Sequence, residues 1–214
     1  MTNAVLASAV AAEIAWDPRI DGETVEVSAG DGVVTLRGWV GSYRQKREAR
    51  RAAERVRGVT YVDNDLDIRV PHPRTDTELR GDVLMALTLD DLVPDTVTAH
   101  VTDAVVRLTG TAGWHHERGE AELVAGNVSG VVGVENDIYL TTPVAYAGDV
   151  RAAIVRALER DARVEARTVG VRTLNGTVVL TGSVRSWAAR ESAVSAAWSA
   201  PGVNRVDDRL EISY

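Results

Sequence analysis

The chain has 214 residues, 45% of them apolar, and a formal charge of −7, with five Trp, five Tyr, no Phe and no Cys. That balance is ordinary for a globular protein with a buried core. The missing cysteine excludes disulfides, thiolate metal sites and cysteine nucleophiles, and the negative charge argues against general binding to a nucleic-acid backbone.

Apolar residues four apart at Leu6, Val10 and Ile14 predict one buried face of a first helix. The stretch Ala4–Ala15 lacks a basic leader region and contains Glu13, so it reads as structure and not as a signal peptide. No run approaches the length of a membrane-spanning helix, and a cytoplasmic location is expected. After a polar loop holding Asp17-Pro18, Val25 and Val27 alternate with Glu26 as a strand. Gly30-Asp31-Gly32 signals a hairpin turn into a second strand through Val34 and Leu36. That strand ends at Gly38. A second helix begins near Ser42, a suitable N-cap, and carries the small apolar stripe Ala49, Ala52, Ala53 and Val56. Gly58 suits the end of that helix, and Val62, Leu66 and Ile68 form a third strand.

The same string then returns twice. Asp31–Gly38, Asp103–Gly110 and Asn175–Gly182 are related by a spacing of 72 residues. The spacing also relates Gly58, Gly130 and Gly202, then Val62, Val134 and Val206, then Leu66, Ile138 and Leu210. The first helix recurs at Leu79, Val83 and Leu87 and at Val150, Ile154 and Leu158, with a shift of one residue in the middle copy. The second helix recurs near Trp114 and Ser186. The expected fold class is α+β, with three tandem αββαβ modules at 1–70, 75–142 and 146–214. Each is a three-stranded mixed sheet with two helices packed on one face, because a helix between strands two and three permits a parallel crossover. The linkers fall at Arg69–Asp76, with Pro71 and Pro73, and at Thr141–Gly148, with Pro143.

The Gly-Val-Val-x-Leu-x-Gly strand and the Ala-rich helix ending in Gly-Val-x-x-Val-x-Asn-x-Leu resemble the BON (bacterial OsmY and nodulation) domain. Gly32–Gly38 and Gly58–Leu66 carry the match in the first copy. Ala104 replaces the turn glycine in the second copy, and Asp208-Arg209 replaces Asn-Asp in the third. The resemblance covers nearly the whole chain. It implies attachment to phospholipid membranes or to other hydrophobic or polymeric ligands, and a link to osmotic stress. It supplies no catalytic residues. Familiar periplasmic members have a signal peptide and two copies, and this sequence departs from both features.

The repeat glycines Gly38, Gly110, Gly182, Gly58, Gly130 and Gly202 read as structural, serving turns, helix ends and close approach of helix and strand. In the first copy Arg44, Arg47, Arg51 and Arg55 recur at helical spacing opposite the alanine stripe, flanked by Lys46, Arg50 and Arg57. They form either a polyanion or lipid-headgroup contact or a solvated face partly neutralised by Glu48 and Glu54. The matching helix of the second copy carries Glu117, Glu120 and Glu122 instead.

Residues 1–73 hold ten basic and eleven acidic residues, 74–145 four and twelve, and 146–214 ten and eight, giving −1, −8 and +2. Pairing of basic with acidic modules, within one chain or between chains, follows as an expectation. Trp39, Tyr43, Trp114 and Trp187 gather where the second strand passes into the second helix, suited to an interface or to capping a core without Phe. Trp198 stands where the other copies have Glu54 and Gly126, an outward helix position, which marks it for a contact between modules.

The adjacent His115-His116 lacks metal-ligand spacing. No nucleophile triad or phosphate loop is present, so no enzyme, metal or cofactor is expected. The expected partners are protein or a second copy, and alternatively an anionic phospholipid surface, with no nucleic acid.

Overall fold

The computed structural model describes residues 2–70, 72–141 and 147–214; Pro71 and Pro143 of the expected linkers lie outside them. The first module runs α1 (Asn3–Trp16), β1 (Val25–Gly30), β2 (Val33–Val40), α2 (Tyr43–Arg55), β3 (Tyr61–Asn64) and β4 (Asp67–Ile68). The second runs α3 (Asp76–Thr88), β5 (Thr98–Thr102), β6 (Val105–Ala112), α4 (His115–Gly126) and β7 (Gly133–Leu140). The third runs α5 (Ala147–Arg160), β8 (Val169–Leu174), β9 (Thr177–Val184), α6 (Trp187–Trp198) and β10 (Arg205–Ile212). This is the α+β class with the αββαβ order three times. The chain divides into two compact units, Met1–Thr111 with His116–Tyr139, and Ala112–His115 with Leu140–Tyr214.

In the first unit β1 pairs antiparallel with β2, and both β3 and β4 pair parallel with β2. The third strand of module one is therefore in two pieces, although Asp65 N still donates to Leu36 O between them. In module two the sheet order is β5-β6-β7. In the second unit β9 is central, antiparallel to β8 and parallel to β10.

Alternation in β2 sends Val34, Leu36 and Val40 inward, where they share one cluster with Leu6, Val10 and Ile14 of α1 and Ala49, Ala52 and Ala53 of α2. The third module repeats this with Ile154, Leu158, Val178, Leu180, Ala193 and Ala197. Each such Leu or Ile side chain contributes about 1.5–3 kcal/mol by leaving water, and alanine on the second helix lets it lie close to the sheet.

Three local devices recur. The hairpin turns place two consecutive residues at positive φ: Asp31 and Gly32, Asp103 and Ala104, Asn175 and Gly176. This suits the right-handed twist of a two-residue hairpin. In module two Asp76 at the start of α3 accepts from the N–H groups of Asp103 and Ala104, holding the turn in place.

Gly38, Gly110 and Gly182 do not end their strands as expected, since β2, β6 and β9 run two residues further; they have φ of 108°, 125° and 107°, and a Cβ there would stand 2.0, 2.2 and 2.0 Å from the carbonyl oxygens of Thr24, Thr96 and Thr168. The hydroxyls of those threonines donate across the same gap to Trp39 O, Thr111 O and Ser183 O.

The Asn of the third strand ties sheet to helix. Asn64 Nδ2 donates to Lys46 O and Asn136 Nδ2 to Arg118 O. Where Asp208 replaces Asn, the tie becomes an ion pair with Arg190 at 2.7 Å. Ser42 and Ser186 cap α2 and α6 by accepting from Gln45 N and Ala189 N.

Candidate interaction surfaces

Helical spacing places Arg44, Arg47, Arg51 and Arg55 on the side of α2 away from the alanine stripe, but their surroundings differ. Arg51 pairs with Glu48 at 3.1 Å, and Arg55 pairs with Glu13 at 2.8 Å and Asp17 at 3.3 Å. Arg19 joins the same group, reaching Asp17 at 2.7 Å and Glu48 at 2.9 Å. The side chains of Asp17 and Glu48 are only 5% and 6% exposed. Buried carboxylates of this kind need cations and hydrogen bonds to offset lost hydration, so Arg51 and Arg55 serve the fold of module one.

Hydrogen bonding from Arg19 holds the Asp17 carboxyl well below its ordinary range; burial opposes this, and Arg55 adds to the lowering. Arg50 is engaged by Glu54 one turn on, at 2.9 Å. Arg44 and Arg47 make no ion pair among the described residues.

The acidic pair Asp17 and Glu48 is the part the sequence reading misses, having left one in a loop and the other on the helix surface. A signal was present for the first: Asp90 and Asp161 follow the first helix in the other copies. In all three, the carboxylate accepts from the backbone N–H two residues on, at Arg19, Leu92 and Arg163.

The aromatic residues are placed one by one. Arg69 lies over the Trp39 ring at 5.1 Å from its centroid, and Arg190 lies over Trp187 at 5.0 Å, within the usual range for cation–π attraction. Trp114 is 41% exposed.

Tyr43 packs on module two. A Cβ built on Gly126 would stand 2.8 Å from Tyr43 Cδ1 and 3.0 Å from Cε1. Burial and then the Glu122 carboxylate push the Tyr43 phenol above its ordinary pKa, with Arg47 opposing. Within the second unit His115 stacks on Trp198, with ring centroids 3.9 Å apart and planes within 5°. His115 stands one spacing after Tyr43, and Trp198 one spacing after Gly126. The same two positions therefore meet twice, in different chemistry. The sequence reading weighs His115 only as a metal ligand and gives Gly126 no role.

Among the described residues, no group of three or more His, Cys, Asp or Glu is arranged to hold a metal ion, and no helix is long and apolar enough to cross a membrane. What the surfaces offer is guanidinium groups, ring faces and carboxylates in different proportions on a common frame.

Comparison with known proteins agrees with that frame. The BON domain profile matches residues 2–70, 75–141 and 147–214. The chain belongs to the BON-domain family and carries three tandem copies. It is 33% identical over 145 residues to the osmotically-inducible protein Y of Escherichia coli (strain K12), an alignment covering 64% of this chain and 72% of that protein. Two solved structures of CdsD, a structural protein of the type III secretion system of Chlamydia trachomatis, align over 98% and 100% of this chain and 92% and 100% of theirs. Their identities are 16% and 15% and both TM-scores are 0.28, so no argument rests on them.

Proposed function

We propose that the chain is a non-catalytic, cytoplasmic binding or scaffolding protein that associates with protein partners through its module surfaces and takes part in osmotic or envelope stress. The observation that carries this reading is the contrast between frame and surface. Core, turns and sheet-to-helix ties recur at one spacing, while the matching helices differ in charge: α2 carries Arg44 and Arg47, which make no ion pair among the described residues, and α4 carries Glu117, Glu120 and Glu122. Surfaces of opposite sign on one frame favour oriented, salt-sensitive association. The stress link follows from the family and from the name of the similar osmotically-inducible protein.

Sedimentation velocity at low and high salt tests the association reading. A complex that dissociates with salt is expected, and one indifferent to salt counts against charge pairing. Protein abundance unchanged after an osmotic upshift counts against the stress link.

A second reading is reversible binding to anionic phospholipid, favoured by Arg44 and Arg47, which make no ion pair among the described residues, with the Trp39 ring nearby in sequence. The engagement of Arg51 and Arg55 with acidic groups takes two of the four stripe arginines away from it. Co-sedimentation with phosphatidylglycerol vesicles separates the readings. Loss of binding in Arg44→Glu/Arg47→Glu with unchanged oligomeric state supports the membrane; loss of self-association alone supports the scaffold.

A further inference from the structure

The third module carries a groove along one edge of its sheet. It is open to solvent on one side and measures about 820 Å³ beside the edge strand β8, within the roughly 300–1,000 Å³ typical of small-molecule sites. Its walls include Val171, Leu174 and Val179 together with Arg151 and Arg172, and no acidic residue is among the described lining. Leu174 is 71% exposed, and Arg172 makes no ion pair among the described residues. Asp207, opposite Val179 in the β9–β10 register, is held by Arg209 at 2.6 Å.

The sister modules act as controls built on the same frame. Where module three has Arg172, Leu174 and Val179, module two has His100, Thr102 and Arg107, and module one has Ser28, Gly30 and Thr35. Arg107 spans to Glu135 at 2.6 Å and Asp137 at 3.6 Å, so the corresponding face of module two is polar and internally neutralised. Module three alone combines apolar side chains with an unneutralised guanidinium at these positions.

An added β-strand fits this edge poorly. Arg151 Nε already donates to Val171 O at 3.1 Å, as Arg80 does to Ala99 O in module two, and so blunts the edge. An apolar floor beside arginine calls for a chain that is apolar along its length and negative at one end. We infer that the β8–β9 groove binds a single-chain anionic amphiphile of the fatty-carboxylate class, with the chain along Leu174 and Val179 and the carboxylate at Arg172, assisted by Arg151. This site is independent of α2 and of the association proposed above.

The test is calorimetric titration of the full chain with sodium dodecanoate below its micellar concentration, with amide NMR shifts to place the site. One saturable site with shifts on β8 and β9 is expected. Dodecan-1-ol, which has the chain without the charge, should bind at least about tenfold more weakly, and acetate not measurably. Arg172→Ser and Leu174→Thr install residues that the same frame carries in modules one and two. Each should weaken dodecanoate by about tenfold or more with an unchanged circular dichroism spectrum. Absence of saturable binding overturns the inference, as does equal affinity for dodecan-1-ol or indifference to both substitutions. Binding confined to dioleoylphosphatidylglycerol vesicles, with none to monomeric dodecanoate, overturns it in favour of a bilayer contact.

Discussion

Replacing Gly126 with alanine probes the contact between modules one and two through two opposing effects. Gly126 is the last residue of α4 and lies outside the left-handed region. Alanine should therefore stabilise the helix by about 0.5–1 kcal/mol. Against that, the new Cβ would stand 2.8 Å from Tyr43 Cδ1 and 3.0 Å from Cε1, closer than carbon atoms approach, so the ring must shift. Overpacking of this kind costs about 1–3 kcal/mol, and the expected net change ranges from about zero to a loss of about 2.5 kcal/mol. In a Tyr43→Ala background the obstacle is gone, and the same alanine should stabilise by its full helical gain. The double-mutant cycle should thus show a coupling of about 1–3 kcal/mol. Three modules need not unfold together, so the assay is native-state hydrogen exchange read on the α4 amides. Equal shifts in α4 protection in both backgrounds would refute the packing of Tyr43 on Gly126.

Gly182→Ala drives a Cβ to 2.0 Å from Thr168 O at a φ of 107°, so module three should lose about 3 kcal/mol or more, read as lost exchange protection in β8 and β9; a loss under about 1 kcal/mol sinks the argument. Ala104→Gly relieves a φ of 60° at the turn position that Gly32 and Gly176 fill, and should raise the stability of module two by about 0.5–1 kcal/mol in urea titration. Because the Asp17 pKa is lowered in the fold, its contribution is present above the unfolded value of about 3.9 and is lost as pH falls through the folded one. Asp17→Asn should cost about 1–3 kcal/mol at neutral pH and flatten the acid side of the melting-temperature profile; parallel acid profiles for the two proteins would contradict this.

The module frame is legible in the sequence because its residues do the same task three times at one spacing. The apolar steps Leu6, Val10 and Ile14 have one buried partner set, the Asp-Gly and Asn-Gly pairs have one turn to form, and Gly38, Gly110 and Gly182 each meet a threonine carbonyl. The surface is less legible because side-chain reach decides it. Arg47 and Arg51 are one turn apart on α2, yet Arg51 is taken up by the buried Glu48 while Arg47 has no ion-pair partner among the described residues. Arg55 reaches Glu13 and Asp17, which lie about forty residues earlier. Helical spacing describes which side of α2 these groups leave from; it carries no information about the acids that α1 and its following loop bring up to them.

The contacts of Tyr43 and His115 expose a different limit. A repeat is read from what stays the same, so it draws attention away from positions where the copies differ. Glu54, Gly126 and Trp198 share one place on the second helix. The first is bound to Arg50 within its own helix, the second lies under Tyr43, and the third lies under His115. Trp198 stands out in the sequence because a large ring replaces a charge at an outward position. Gly126 gives no such warning, since a glycine near a helix end has a conformational explanation ready to hand. Its lack of a side chain makes sense only with the partner in view: Tyr43 fills the space that a Cβ would need. The two pairs meet similar steric demands in opposite ways, a large ring over a bare backbone and a small ring flat on a large one. Substituting one partner without the other therefore trades a close contact for a clash or a void.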